Sequence, residues 1–235
     1  MTHFDYTLEG PIGTRATLGL VVLQTDETIE HDMRRMFTQA GVSLYVTRVP
    51  SGADVTTDTL ATMSQALPAA TRLLPPELTY DVVGYGCTSG TAVIGPDMIA
   101  SQVRAGCAAT HVTEPLSALI AICAARGVSR LAFLSPYIES VSQTLRDALN
   151  TRGVETPVFG SFNEAVETKV AKISNASLYE AAMALGSSDE VEGVFLSCTN
   201  LRTLDVIPQI EGDLGKPVFS SNQALAWHMA HLAGL

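Results

Sequence analysis

Several features that mark other classes of protein are missing from this sequence of 235 residues. It has no uninterrupted apolar run near the roughly 18 residues that a membrane-spanning helix needs, and residues 1–15 lack the apolar stretch of a signal peptide. The four cysteines form no CxxC pair, and the five histidines form no HExxH pattern. We therefore expect a cytoplasmic protein with reduced thiols, no metal site and no membrane partner.

Positive charge is also scarce, since 14 Lys and Arg stand against 24 Asp and Glu and the net charge is −10. Such a surface repels phosphate backbones, so we expect no nucleic acid partner. Hydrophobic residues make up 46% of the chain, which is enough for a large core. The length fits one domain or two smaller ones.

Short apolar runs alternate with longer amphipathic segments, a rhythm typical of α/β folds with parallel sheets. The runs are nearly continuous in Val, Leu and Phe, which indicates strands buried on both faces. We predict strands over residues 18–23, 43–48, 81–84, 130–134, 192–196 and 216–220. We predict helices over residues 28–40, 60–67 (ending before Pro68), 116–126, 140–152, 178–185 and 222–232.

The sequence also contains an internal repeat. Residues 18–37 and 131–150 each read as a buried strand, a polar turn and an amphipathic helix, and YDVVGYGCTSG and VEGVFLSCTNL each end a strand in Cys-Thr. Asp26 precedes Cys87 by 61 residues, and Tyr137 precedes Cys198 by the same number. Equal spacing predicts two related α/β lobes, each a parallel sheet flanked by helices, with the cysteines facing one cleft. The alternative is a chance similarity between two βα units.

Cys87 and Cys198 follow predicted strands at the carboxyl ends, where open parallel sheets bind ligands. Backbone N–H groups at such turns form anion sites, and the positive end of a helix lowers the pKa of a thiol. We expect two thiols on opposite walls of the cleft, one of which removes a proton from a carbon while the other returns one, with the N–H groups holding a substrate carboxylate. The small or polar residues at these turns are Thr88, Ser89, Thr199 and Asn200.

For any single cysteine the alternative is a small buried core residue. Cys107 and Cys123 lack the Cys-Thr context, and we interpret both as structural.

The segments GYGCTSGTAVIG around Cys87 and FLSCTNLRTLDVIP around Cys198 resemble the aspartate/glutamate racemase superfamily, and more closely its maleate isomerase and arylmalonate decarboxylase branch. The resemblance runs from LGLVVLQTD to PVFSSNQALAW and includes SPY at residues 135–137 and FNEAVETKVAKIS at residues 162–174. It implies two pseudo-symmetric lobes (residues 1–112 with 217–235, and residues 113–216), an active site between them and no metal or organic cofactor. It also implies a homo-oligomer, a dimer or tetramer.

The same resemblance assigns roles to individual residues. Cys87 and Cys198 match the catalytic thiols, and Tyr137 and Asn163 match positions that bind the substrate carboxylate in the isomerases. The alternative for Tyr137 is an aromatic that packs at a strand end, and for Asn163 a helix N-cap.

The sequence departs from this pattern at two positions. Arylmalonate decarboxylases lack the first cysteine, so Cys87 favours isomerisation or racemisation. The isomerases carry Asn in the first-lobe turn, where this chain has Thr25 and Asp26. Ionised Asp cannot donate to a carboxylate and repels it, so a substrate with an N–H group fits better than a plain dicarboxylate. The alternative for Asp26 is a helix N-cap.

The VVLQTD turn, with SCTNLR and VFSSN, looks most like the ectoine-utilisation A type proteins, which implies a racemase for a cyclic, zwitterionic amino acid derivative. We keep three rivals: a maleate-type cis-trans isomerase with a covalent Cys87 adduct, an arylmalonate-type decarboxylase, and a non-catalytic protein that binds a small molecule.

Overall fold

The structure, a computed structural model, describes residues 1–52 and 57–235, and the side chains of these residues outside 57–62. The strands are β1 (Ala16–Leu23), β2 (Val42–Val49), β3 (Thr79–Gly86), β4 (Ala108–Thr113), β5 (Arg130–Ser135), β6 (Glu155–Ser161), β7 (Gly193–Leu196) and β8 (Val218–Ser220). The helices are α1 (Ile29–Met36), α2 (Thr57–Thr71), α3 (Thr88–Ile94), α4 (Pro96–Arg104), α5 (Pro115–Arg126), α6 (Glu139–Asn150), α7 (Glu167–Val170), α8 (Asn175–Gly186), α9 (Ile207–Leu214) and α10 (Ser221–Leu232).

The strands form two parallel four-stranded sheets of matching order, β2-β1-β3-β4 and β6-β5-β7-β8. In the first sheet Leu20 of β1 lies opposite Val46 and Gly84. In the second, Phe133 of β5 lies opposite Phe159 and Phe195. The predicted fold class, two lobes that each contain a parallel sheet flanked by helices, is therefore confirmed, and the repeat in the sequence corresponds to a repeat in topology.

Two edge strands, β4 and β6, are not among the predicted strands. β4 has the sequence AATHVT and is partly exposed, so it lacks the apolar run that identifies a buried strand. β6 contains Pro157, which is tolerated at an edge because the missing N–H is not needed by a second neighbour.

The predicted end of α2 is wrong, since the helix continues through Pro68 to Thr71. The last turn is kept because Ala70 and Leu74 are buried in the core of the first lobe, and the Ala70 carbonyl accepts a hydrogen bond from Thr47 Oγ1 at 2.8 Å. Apolar burial and this bond compensate for the N–H that Pro68 lacks.

The final segment of the chain connects the lobes. β8 pairs with β7 and so lies in the second sheet, although the sequence-based division assigned residues 217–235 to the first lobe. The helix that follows, α10, packs Leu225 and Met229 against Leu18 and Leu20 of β1. The rest of the proposed division stays a prediction. Within the described residues, no helix is long and apolar enough to cross a membrane.

Candidate active site

The site is built where the carboxyl ends of the two sheets meet. Asp26 and Cys87 follow β1 and β3, and Tyr137 and Cys198 follow β5 and β7, the equivalent strands of the second sheet. Thr199 Oγ1 crosses between the lobes, lying 2.8 Å from Asp26 Oδ2 and 3.3 Å from the Gly86 carbonyl. The topology therefore brings the four sequence-predicted positions to one region.

Cys87 is the N-cap of α3 and is buried. Its Sγ accepts a hydrogen bond from the Gly90 backbone N–H at 3.2 Å, and its carbonyl accepts one from Thr91 Oγ1 at 2.7 Å. Burial raises the pKa of the Cys87 thiol to about 12, and the Gly90 N–H only partly opposes this.

Cys198 has a related arrangement in the second lobe. Its Sγ accepts from the Asn200 backbone N–H at 3.2 Å and lies 3.0 Å from the Tyr137 hydroxyl. Burial, followed by the nearby Glu167 carboxyl, raises the pKa of the Cys198 thiol well above its ordinary value. The Glu167 and Asp26 carboxyls raise the pKa of both thiols.

The expected lowering of the thiol pKa values is therefore wrong for this structure. One backbone N–H at the start of a seven-residue helix stabilises a thiolate less than burial between two acidic side chains destabilises it. Both cysteines are held as neutral thiols, and a thiolate requires a compensating positive charge or a proton acceptor.

Asp26 caps the first turn of α1. Its Oδ1 accepts hydrogen bonds from the backbone N–H groups of Thr28 and Ile29, each at 2.8 Å, while Oδ2 accepts from Thr199 Oγ1. Asp26 therefore binds the N–H groups at the start of α1 as a capping side chain does, although the N-cap residue itself is Thr28. Oδ2 keeps capacity for a further donor. Burial raises the pKa of the Asp26 carboxyl. Its contact with substrate stays a prediction.

Tyr137 belongs to a buried hydrogen-bond network that includes Glu167, a residue that the sequence analysis did not select. The Tyr137 hydroxyl donates to Glu167 Oε2 at 2.9 Å, and Asn200 Nδ2 donates to Glu167 Oε1 at 2.8 Å. Burial raises the pKa of Glu167. The only signal in the sequence is its place in the segment FNEAVETKVAKIS, where Glu164 and Glu167 cannot be told apart.

The turns after the cysteines retain unused donors. Thr88 Oγ1 donates to Ser221 Oγ at 2.8 Å, and Ser221 Oγ also accepts the Cys198 backbone N–H at 3.1 Å. Within residues 1–52 and 57–235, no hydrogen bond uses the backbone N–H groups of Thr88, Ser89 or Thr199. These groups fit the predicted carboxylate site.

The other two predicted substrate-binding residues, Thr25 and Asn163, make no hydrogen bond to the groups described above. Thr25 is half-buried, with its hydroxyl 3.1 Å from Ser51 Oγ. Asn163 is exposed with φ 53°, and its backbone N–H donates to Ser161 Oγ at 2.8 Å. Because α7 begins at Glu167 with Val166 as its N-cap, the capping alternative for Asn163 is wrong.

The other two cysteines are placed as the sequence indicated. Cys123 is buried in the core between α5 and the second sheet, and Cys107 packs on the core of the first lobe. Among the described residues, no group of three or more His, Cys, Asp or Glu side chains is arranged to hold a metal ion.

Comparison with known proteins identifies the family. The family model described as arylmalonate decarboxylase matches residues 101–235, more than half of the chain. The chain belongs to the arylmalonate decarboxylase family. It is 33% identical to the arylmalonate decarboxylase of Bordetella bronchiseptica over 111 residues, which are 47% of this chain and 46% of that enzyme. The match thus spans about half the length of the Bordetella protein.

Maleate isomerases are similar to this chain over longer stretches. The maleate isomerase of Nocardia farcinica is 25% identical over 221 residues, which cover 89% of this chain and 87% of that enzyme. The maleate isomerase Iso of Pseudomonas putida has a TM-score of 0.80 at 21% identity and covers 94% of this chain and 93% of its own. A cysteine-to-serine variant of the Nocardia isomerase, with a covalently bound succinylcysteine intermediate, has a TM-score of 0.78 at 23% identity and covers 94% and 93%. Solved structures this distant establish the fold.

Proposed function

We propose that this protein is a cofactor-independent racemase or isomerase that acts at a carbon next to a carboxylate through Cys87 and Cys198. The observation that carries the proposal is the pair of buried thiols at equivalent strand ends, each with a backbone N–H donated to its sulfur. One cysteine, as the thiolate, removes a proton from the carbon, and the other, as the neutral thiol, returns one. The free N–H groups of Thr88, Ser89 and Thr199 bind the carboxylate and stabilise the charge of the enolate.

The charges around the thiols favour a substrate that carries a positive or N–H-bearing group. Asp26 and Glu167 both disfavour a thiolate, and a second anion would add to their repulsion. A cationic group next to Asp26 Oδ2 would offset this repulsion and lower the pKa of the nearby thiols. A cyclic, zwitterionic amino acid derivative of the ectoine type has this chemistry and is the substrate class that we propose.

The test is solvent deuterium exchange at the acidic carbon of such a derivative. We expect the wild-type protein to exchange that hydrogen and interconvert the stereoisomers, whereas C87S and C198S each lose racemisation by at least about a thousandfold, a loss of the size seen when one member of a catalytic pair is removed. C107S and C123S serve as controls and keep turnover. Full racemisation by both C87S and C198S would sink the proposal.

A second candidate is the cis-trans isomerisation of maleate. It is favoured by the similarity to maleate isomerases over 89% of the chain and by the succinylcysteine in the Nocardia relative. The Cys87 thiolate would add to the double bond, the new single bond would rotate, and elimination would restore the thiolate. Incubation of C198S with maleate then gives an adduct on the Cys87 peptide that mass spectrometry detects, whereas a racemase without this activity stays unmodified.

A decarboxylase is the third candidate because the family model bears that name. Decarboxylation needs one proton donor, so Cys198 alone would suffice. Carbon dioxide release from an arylmalonate that is retained in C87S and lost in C198S would favour this activity over racemisation.

A further inference from the structure

Glu167 is a buried carboxyl in the centre of the candidate site, with 3% of its surface exposed. Among the described residues, no Lys, Arg or His pairs with it. Its two oxygens are bound instead by the Tyr137 hydroxyl and the Asn200 side-chain amide. A buried carboxylate held only by neutral donors is costly, so its position next to Cys198 calls for an explanation.

The hydrogen bonds around Glu167 indicate which neighbouring groups donate to it. Asn200 Oδ1 accepts from the Glu27 backbone N–H at 2.8 Å, so Asn200 Nδ2 points toward Glu167 as a donor. The Tyr137 hydroxyl and Cys198 Sγ lie 3.0 Å apart, and either atom could be the donor in this contact. Because the single hydroxyl proton of Tyr137 is donated to Glu167, we infer that the Tyr137 oxygen accepts the S–H of Cys198. In this arrangement Tyr137 cannot also donate to a Cys198 thiolate.

We propose that Glu167 is a positioning residue that acts through Tyr137: it accepts the hydrogen bond of the Tyr137 hydroxyl, holds Cys198 as a neutral thiol and thereby makes Cys198 the proton donor of the pair. The division of roles rests on the proposed function. When Cys198 donates, the S–H bond breaks with its electron pair left on sulfur, and the proton joins the electron pair of the substrate carbanion. The new thiolate and Glu167 then compete for the hydrogen bond of the single Tyr137 hydroxyl, which favours reprotonation of Cys198 by a proton from solvent.

Cys87 differs because Tyr137 does not bond to it. Glu167 raises the pKa of both thiols through space, but only Cys198 is also linked to it by a hydrogen bond through Tyr137. The Tyr85 hydroxyl lowers the pKa of Cys87. In the part of the chain that the structure describes, four titratable groups interact with Glu167: Tyr137, Cys198, Cys87 and Asp26. The effect of Glu167 is expected to be larger on Cys198 than on Cys87.

The experiment measures how fast iodoacetamide alkylates each cysteine across a range of pH, by peptide mass spectrometry on the full chain without substrate. We expect E167Q to lower the titration midpoint of Cys198, so that the alkylation rate at a fixed alkaline pH rises about tenfold, the change for one pKa unit. E164Q is the matched control, because Glu164 lies on the same segment and pairs with Lys169 at 3.4 Å. An unchanged Cys198 midpoint in folded E167Q, or an equal shift in E164Q, overturns the proposal.

A double-mutant cycle tests whether the effect passes through Tyr137. In a Y137F background, E167Q should change Cys198 alkylation by less than about threefold; an undiminished tenfold change would mean that Glu167 acts through space and would overturn the proposal. If E167Q does not fold by circular dichroism, E167D replaces it, since the shorter side chain keeps the charge but withdraws from Tyr137. A folded E167D with an unchanged midpoint is then the contradicting result.

The readout needs no turnover, so the two proposals fail separately. Racemisation that survives both C87S and C198S removes the proposed function and leaves the alkylation profile intact. An unchanged alkylation profile removes the role of Glu167 and leaves the two-thiol mechanism standing.

Discussion

Asn200 is the residue that ties the two halves of the site together. It is fully buried; its Oδ1 accepts from the Glu27 backbone N–H, its Nδ2 donates to Glu167, and its carbonyl accepts from Thr28 Oγ1 at 2.9 Å. Its backbone N–H also reaches the Cys198 sulfur. One amide therefore aligns the turn after β1, the carboxyl of α7 and a candidate catalytic thiol.

Replacement of this amide should affect stability as well as activity. N200A leaves the Glu27 N–H and Glu167 Oε1 without their partners, and we expect a loss of about 1–3 kcal/mol in the free energy of unfolding. Urea denaturation followed by circular dichroism measures it. N175A, at the exposed start of α8, is the matched control and should change stability by less than about 0.5 kcal/mol. Equal stability of N200A and wild type would show that water replaces the amide.

The sequence alone pointed to most of the candidate site residues. The Cys-Thr pairs after two predicted strands, and the equal spacing from Asp26 to Cys87 and from Tyr137 to Cys198, can be read directly from the sequence. It could not separate Glu167 from its neighbours. The inward direction of Glu167 follows from the start of α7 at that residue and from contacts with Tyr137 and Asn200 that lie about 30 residues away in each direction.

Among the helices and strands, α5 is preceded by a buried acidic residue, Glu114, whose side chain caps the helix. It is the N-cap of α5, and its carboxylate accepts from the backbone N–H groups of Leu116 at 2.6 Å and Ser117 at 3.0 Å. Pro115 occupies the first helical position, where its missing N–H is not needed. The cap and the proline together fix where the helix starts beneath the second sheet.

We expect E114A to lower the free energy of unfolding by about 1–2 kcal/mol, because it leaves two N–H groups at the start of α5 without an acceptor. Chemical denaturation measures the change. E139A is the control, since Glu139 begins α6 without a side-chain capping bond, and it should change stability by less than about 0.5 kcal/mol. A similar loss of unfolding free energy in E114A and E139A would mean that the negative charge near the helix start, and not the capping hydrogen bonds, stabilises the protein.

The start of α3 depends on a glycine for a different reason. A Cβ at Gly90 would lie 2.7 Å from Tyr85 Oη and 2.8 Å from Cys87 Sγ, too close for either atom to keep its place. The absent side chain is what lets the Gly90 N–H approach the thiol.

G90A should therefore displace Cys87 and reduce kcat at least about tenfold, since catalysis tolerates little misplacement of a reacting group. Steady-state kinetics with the substrate that the exchange experiment identifies, together with the melting temperature, separate this from unfolding. G212A is the control, because no atom lies within 4 Å of a Cβ placed there. Normal kcat in G90A would show that the turn can move without loss.

For the whole molecule, the buried carboxyls give stability a characteristic pH dependence. Burial raises the pKa of Asp26, Asp32, Glu114 and Glu167, so their stabilising contribution is present below the ordinary carboxyl pKa and is lost as the pH rises through the raised values. The partly exposed Glu192 behaves in the opposite way, because backbone N–H groups of Ser129 and Arg130 lower its pKa.

We expect the stability of the wild type relative to D32N to fall as the pH rises from about 4 to about 7, because only the wild type carries the cost of ionising Asp32. Relative to E192Q, the wild type should gain stability as the pH rises from about 3 to about 5, because the pKa of Glu192 lies below its ordinary value in the folded protein. Urea denaturation at several pH values measures both trends. Trends of the same sign would contradict the assignment of these two carboxyls.

The expected homo-oligomer stays a prediction for the molecule as a whole. Light scattering of the purified protein measures its mass, and a single-chain mass would contradict the expectation. The apolar side chains of Phe4, Tyr6, Leu8 and Ile12 are exposed, so variants of these residues are the first choice if a dimer or tetramer is found.

By itself the sequence determined the α/β class, the central buried strands, the internal repeat and the pair of cysteines, since burial on both faces, turn residues and equal spacing are properties of neighbours along the chain. Only the tertiary structure decided the direction of the thiol pKa shifts, the sheet that contains β8 and the lobe against which α10 packs. It also decided that Glu167 bonds to Tyr137 and Asn200. Those outcomes depend on burial and on contacts between residues far apart in the sequence. From the sequence alone, the start of a helix was expected to lower the pKa of each thiol. In the structure, burial beside Asp26 and Glu167 raises these pKa values instead.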